Sequence, residues 1–111
     1  MATKLKMLSL LETLNAATAK GRLHWSGSFS LDHFMAHTNN ATITISKDMI
    51  GGYNSYTISL RDAKGKVIEN DLFDHGDVGH GHAEILYESA RRDALKVDQF
   101  IDNVIADLEG S

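Results

Sequence analysis

The strongest constraint on this chain is a run of apolar residues near its C-terminus that repeats with a helical period. Successive apolar positions are separated by 4, 4, 3, 4, 3 and 4 residues, and residues at these intervals share one face of an α-helix. They are Leu86, Ala90, Ala94, Val97, Ile101, Val104 and Leu108. The pattern predicts a long C-terminal helix that packs on a core. In an alternative interpretation, Asp98 caps a second helix and the long helix is kinked there.

A shorter apolar repeat predicts a helix near the N-terminus, over residues 3–19. Its apolar positions also recur at three- and four-residue steps. They are Met7, Leu10, Leu11, Leu14 and Ala17. Gly21 follows them, and a glycine at this point is typical of a helix end.

The middle of the chain alternates polar and apolar residues, as a strand with one buried face does. Ile43 and Ile45 lie on one side of segment 41–46. Tyr56, Ile58 and Leu60 lie on one side of segment 56–60. Weaker patterns predict a preceding strand over residues 29–37 and a last strand over residues 66–69. These segments predict a four-stranded antiparallel meander.

The predicted elements combine into an α+β domain of two layers, in the order α-β-β-β-β-α, with both helices on one side of the sheet. The length of 111 residues suits a single domain spanning residues 1–111. Cysteine is absent, which excludes disulfides, thiolate metal sites and a cysteine nucleophile. With no signal-like or membrane-spanning apolar segment, the expected location is cytoplasmic.

Charge is distributed unevenly along the chain. Residues 1–68 hold eight Lys/Arg and four Asp/Glu, a net charge of +4, whereas residues 69–111 hold three and eleven, a net charge of −8. An acidic C-terminal helix repels phosphate, which disfavours binding to duplex nucleic acid. Its acidic face is interpreted either as a solvated surface or as one that docks on a basic partner.

Two segments carry a family resemblance. Thr18-Ala-Lys-Gly-Arg-Leu-His-Trp25 follows the form T-x-x-G-x-hydrophobic-x-W, and residues 90–98 follow the form A-R-R-x-A-x-x-V-D. With these segments the chain resembles a family of short uncharacterised bacterial proteins. The resemblance spans most of the chain and implies a fold and a bacterial or phage origin, but no activity. The chain departs from that pattern over residues 71–82, which are rich in glycine and histidine.

This departing loop is the segment that suggests metal chemistry. Imidazoles and carboxylates are ligands for zinc, nickel and similar ions. The candidate ligands are His75, Asp77, His80 and His82. Their spacing matches no established motif, and a flexible acidic loop before the helix is the simpler interpretation.

Aromatic and basic residues suggest a second kind of site. Trp25 and Tyr56, with Arg91 and Arg92, are candidates for stacking on a nucleotide or small ligand and binding its anionic group. The alternative roles are structural. Trp25 would anchor the edge of the core where the first helix meets the sheet, and the arginines would pair with neighbours such as Glu88.

The chain shows no recognisable catalytic motif, such as a Gly-rich phosphate loop, G-x-S-x-G or H-E-x-x-H, so a non-enzymatic protein is expected. The leading hypothesis is a protein–protein interaction module of bacterial or phage origin that either self-associates, as a homodimer, or acts on another protein as an accessory or inhibitor. It depends on an uncovered sheet face of small polar residues. These are Thr42, Thr44, Thr57 and Ser59. A small-ligand binder and a metal-binding protein are the alternatives.

Overall fold

The computed structural model describes residues 4–28 and 30–110 and confirms the α+β class. In that part of the chain three helices and five strands follow one another. They are α1 (Lys4–Ala19), β1 (Trp25–Gly27), β2 (His33–His37), β3 (Ala41–Ile50), β4 (Tyr53–Asp62), β5 (Val67–Phe73), α2 (His80–Ala94) and α3 (Val97–Glu109). Residues 3 and 29, where two predicted elements begin, lie outside the described residues.

The sheet of the described chain has five strands, so the prediction of four was wrong by one. Neighbouring strands are antiparallel in the order β1-β2-β3-β4-β5. The missed strand is β1, which is three residues long and therefore too short to show an alternating pattern. Its pairing with β2 places Trp25 opposite Ala36.

The core lies between one face of the sheet and the helices α1 and α2. Four of the five predicted inward residues of β3 and β4 are buried there, with Ile45 and Ile58 fully inaccessible to solvent, and the fifth, Leu60, is partly buried. Helix α1 contributes Met7, Leu11 and Leu14, and α2 contributes Ala83, Leu86, Tyr87 and Ala90. The two-layer arrangement with both helices on a single side is confirmed for α1 and α2.

The long C-terminal helix is divided into two, which corrects the prediction of one continuous helix. Helix α2 ends at Ala94, and Lys96 has a left-handed backbone with φ of 52° before α3 begins at Val97. The break lies two residues before Asp98, which instead occupies the first turn of α3. None of the described side chains of α3 is buried. The C-terminal half of the predicted core-facing stripe is therefore on the surface.

Within the described residues, no helix has the length and apolar character needed to cross a membrane.

Candidate interaction surface

Helix α3 carries a continuous apolar stripe that faces solvent. It consists of Phe100, Ile101, Val104, Ile105 and Leu108, here called the α3 stripe. Their exposed fractions run from 41% for Val104 to 72% for Leu108. Because the steps between them are those of one helix face, the exposed atoms form a single patch about 12 Å long rather than scattered points. Contiguous apolar patches on a protein surface mark interaction sites more often than isolated apolar residues do.

The stripe has acidic side chains along both of its edges. Asp98, Asp102 and Glu109 follow the edge beside Ile105, since Asp102 and Glu109 are three and four residues from it. Asp107 lies on the other edge, seven residues from Phe100. Helix α3 has no Lys or Arg. Its surface is therefore an apolar band between two negatively charged margins.

The first turn of α3 is the part of that helix that meets the rest of the molecule. Arg92 at the end of α2 donates a hydrogen bond from Nη2 to Oδ1 of Asp98 at 2.5 Å. Gln99 and Asp98 also line a cleft that reaches the end of α1 at Thr18. The stripe begins at Phe100, beyond these contacts, and all five of its residues are exposed.

The cleft at the α2–α3 junction, here called the junction cleft, has a volume of about 340 Å³. Its walls come from the end of α1, the segment before β1 and the two C-terminal helices. The lining residues with charged or ionisable side chains are His24, Arg92, Asp93, Lys96 and Asp98. Both signs of charge are present, so the junction cleft alone does not select an anion or a cation.

Trp25 lies in the core beside this cleft. Its side chain is 3% exposed, its indole Nε1 donates a hydrogen bond to Thr18 Oγ1 at 3.0 Å, and its backbone N–H donates to Asp93 Oδ2 at 2.6 Å. Asp93 also lies 3.6 Å from Nδ1 of His24. Trp25 thus joins α1, β1 and α2, which is the anchoring geometry expected where the first helix meets the sheet.

Tyr56 is separated from Trp25 by most of the length of α2. The Tyr56 hydroxyl donates to Glu84 Oε2 at 3.4 Å, whereas the backbone of Trp25 bonds to Asp93. Nine residues of helix separate those two carboxylates, which corresponds to about 14 Å. Arg91 pairs with Glu88 at 3.9 Å. Trp25, Tyr56 and Arg91 therefore do not line a common surface, and of the four residues predicted for ligand binding only Arg92 lines the junction cleft.

The histidine-rich segment is more ordered than a flexible loop, because α2 begins at His80 and includes His82. His75 stacks on Tyr53 with ring centroids 3.9 Å apart, and His80 lies edge-on to His75 at 5.9 Å. His80 Nε2 donates to the carbonyl oxygen of Asn54 at 2.8 Å. Two of the four predicted metal ligands, His75 and His80, are therefore neighbours in an aromatic cluster.

The other two predicted ligands have separate surroundings. Asp77 Oδ2 accepts the backbone N–H of Asp74 at 2.8 Å and closes a turn. The His82 side chain is exposed, and its backbone carbonyl accepts from Asn15. Among residues 4–28 and 30–110, no three His, Cys, Asp or Glu side chains are grouped so that they could hold a metal ion.

The outer face of the sheet brings the four small polar residues of β3 and β4 together. Thr44 lies opposite Ser59, and the side-chain hydroxyl of Ser59 donates to Asn70 of β5 at 2.5 Å. Thr42 Oγ1 and His37 Nδ1 form a hydrogen bond of 3.0 Å. Thr44 is 7% exposed. Hydrogen bonding within the sheet thus occupies several of these groups, and this face offers less apolar area than the α3 stripe.

Two buried tyrosines have altered acidity. Burial raises the pKa of Tyr87. The Tyr87 hydroxyl donates a hydrogen bond to Oδ1 of Asp32 at 2.8 Å, and this carboxylate raises the pKa further. Burial likewise raises the pKa of Tyr56, with Glu84 adding to the effect. Both hydroxyls stay protonated at neutral pH. Their role is to hold α2 to the sheet and the β1–β2 segment.

Comparison of the chain with known protein families, curated proteins and solved structures found no match. The functional assignment therefore depends on the geometry of the chain itself. The main element that sequence reasoning missed is the exposure of the α3 stripe. The sequence repeat could not have indicated it, because an apolar helix face does not show what covers it.

Proposed function

We propose that this protein is a non-enzymatic protein–protein interaction module, of the accessory or inhibitor kind, and that α3 is the element that docks on its partner. The observation that carries this proposal is the α3 stripe, an apolar helix face that the rest of the chain does not cover. Burial of exposed apolar side chains against a partner contributes about 25 cal/mol of favourable free energy per Å², so covering this face favours binding. A cytoplasmic location and a bacterial or phage origin belong to the same proposal.

The remainder of the molecule supports this role by acting as a rigid base. Helix α2 is anchored to the sheet by buried Leu86 and Tyr87, and α3 follows it after two residues. The Arg92–Asp98 contact spans the break and restrains the direction of α3. A helix presented in a defined direction loses less conformational entropy on binding than a disordered segment does.

The test is co-purification from the native host with matched variants of the full chain. Phe100→Ser and Val104→Ser remove apolar contact area from the stripe, and Ala106→Ser makes a change of the same type at an exposed residue on the opposite face of α3. We expect the wild type and Ala106→Ser to retain the same protein, and the two stripe variants to lose it. Identical capture of that protein by the wild type and all three variants would contradict the proposal.

A second candidate function is small-ligand binding, which the junction cleft favours. Thr18 lines that cleft and accepts the indole N–H of Trp25, and the chain has one tryptophan. A ligand that enters the cleft should therefore change the fluorescence of Trp25. A titration with a panel of nucleotides and other anions tests this, and an unchanged emission spectrum throughout would count against it.

A further inference from the structure

The charges that border the α3 stripe narrow the class of partner. We propose that the stripe binds a basic amphipathic helix of another protein, one with apolar residues at helical spacing and Lys or Arg on both sides of them. This inference rests on the proposed function, because it identifies the occupant of the same surface. Three features of the molecule support it: the charge of the stripe's margins, the effect of that charge on self-pairing, and the position of the chain's own basic residues.

The first step is that both margins of the stripe are acidic. Asp102 and Glu109 lie on the margin beside Ile105, and Asp107 lies on the margin beside Phe100. All three are in exposed positions. Any helix that packs on the stripe brings its own flanking residues close to these carboxylates, as the flanking positions of paired helices do. Basic flanks are attracted, and acidic flanks are repelled.

The second step is that two copies of α3 would repel one another whether they pair in parallel or in antiparallel orientation. In an antiparallel pair each margin faces the same margin of the other copy, so the Asp102 side meets the Asp102 side. In a parallel pair each margin faces the opposite one, so the Asp102 side meets the Asp107 side. Both arrangements place carboxylate against carboxylate, because α3 has no basic residue to separate them. Like charges across an interface act against that pairing.

The third step concerns the basic residues of the chain itself. Those closest to α3 are Arg92, which bonds to Asp98 in the first turn, and Lys96, which directly precedes the helix. Both lie at the N-terminal end of α3, one turn or more from Asp102 and Glu109. A partner from outside the chain can therefore supply positive charge along the rest of that margin. Since α3 has 13 residues, a helix of about 20 Å matches its length.

The experiment measures the binding of two designed helical peptides to the full chain by fluorescence anisotropy. Both have about 14 residues with leucines at helical spacing; one has lysines on the flanks and the other has glutamates. We expect the lysine peptide to bind at least about tenfold more tightly than the glutamate peptide, with a difference that shrinks as salt is added. The Val104→Ser variant is expected to bind the lysine peptide more weakly than the wild type does, because the substitution removes apolar contact.

The matched control separates local charge from net charge. The double variant Asp102→Asn with Asp107→Asn neutralises one residue on each margin, whereas Glu12→Gln with Asp48→Asn removes the same charge elsewhere. We expect the first to reduce the preference for lysine by about fivefold or more and the second to leave it unchanged. An equal effect of both double variants would overturn the inference.

The remaining outcomes distinguish this inference from the proposed function. If the glutamate peptide binds as tightly as the lysine peptide and both depend on Val104, the basic partner is overturned while docking through α3 stands. If the lysine peptide does not bind, or the chain prefers phosphatidylcholine vesicles to it, the basic partner is also overturned. If the peptides bind but Val104→Ser has no effect on their affinity, both the basic partner and docking through the α3 stripe are overturned.

Discussion

Gly79 joins β5 to α2 at a point where a larger residue meets two neighbours. Its φ of +96° lies in the left-handed region, and an added Cβ would come within 2.6 Å of Leu8 Cδ2 and 2.9 Å of Phe73 Cε1. Gly79→Ala is therefore expected to lower the free energy of unfolding by about 2–4 kcal/mol, from backbone strain and overpacking together. Urea denaturation measures this.

Gly81 provides the matched control for that substitution. It lies in the first turn of α2, and an added Cβ there meets nothing within 4 Å. Gly81→Ala is expected to raise the free energy of unfolding by about 0.5–1 kcal/mol, since alanine loses less backbone entropy in a helix. Equal losses for the two variants would show that the close approach at Gly79 is absent.

The raised pKa of the Tyr87 hydroxyl makes the free energy of unfolding depend on pH in the alkaline range. Its pKa is raised in the folded protein above the ordinary 10.0 by burial and by Asp32. Below pH 10 both the folded and the unfolded states hold this proton, so the full stabilisation is present. As the pH rises above 10 the unfolded state releases the proton first, and the free energy of unfolding decreases.

Tyr87→Phe tests this at the same site. At neutral pH the variant is expected to lose about 1 kcal/mol with its hydrogen bond to Asp32. Above pH 10 the difference from the wild type should shrink, because phenylalanine has no proton to release. Tyr53→Phe changes a tyrosine that is 54% exposed and serves as the control. A wild-type advantage over Tyr87→Phe that stays constant from pH 7 to beyond pH 10 would contradict the assignment.

At the scale of the elements, α2 and α3 have opposite roles although their apolar residues follow one repeat. Leu86 is fully buried, so Leu86→Ala should cost about 2–5 kcal/mol of unfolding free energy. Val104 is 41% exposed in a helix that the core does not cover, so Val104→Ser should change it by about 0.5 kcal/mol or less. Thermal or urea unfolding of the two variants measures the contrast. A cost for Val104→Ser as large as that for Leu86→Ala would place α3 in the core.

The elements also show what the sequence pattern could and could not predict. The alternation correctly predicted that Ile43, Ile45 and Ile58 are buried, because a strand with one covered face requires it. It did not predict that Thr44, on the other face, is only 7% exposed. The helical repeat over residues 86–108 predicted helices, but a repeat indicates an apolar face without indicating what covers it. Only the left-handed backbone at Lys96 separates the buried part from the exposed part.

At the scale of the whole molecule, the protein is elongated, with extents of 57 × 36 × 25 Å, and α3 contributes no buried residue to its core. The sheet with α1 and α2 forms the packed body, whose class and layering were predictable from the periodic patterns. The interaction surface was not predictable in the same way, since it depends on where the body ends. Likewise, Trp25 and Tyr56 were predicted to share one ligand site, but in the structure they contact opposite ends of α2. They lie on β1 and β4, and two strands of the meander separate them.

The central claim is that the α3 stripe is open in the chain alone and becomes covered by a partner. The chain has no cysteine, so Val104→Cys introduces a single thiol whose reaction rate reports its exposure. In dilute solution we expect it to react nearly as fast as the thiol of Ala106→Cys on the opposite face of α3, and much faster than that of Ala90→Cys, which is buried. The basic peptide should slow only Val104→Cys. A Val104→Cys thiol as protected as that of Ala90→Cys at every dilution, without any partner, would contradict the account.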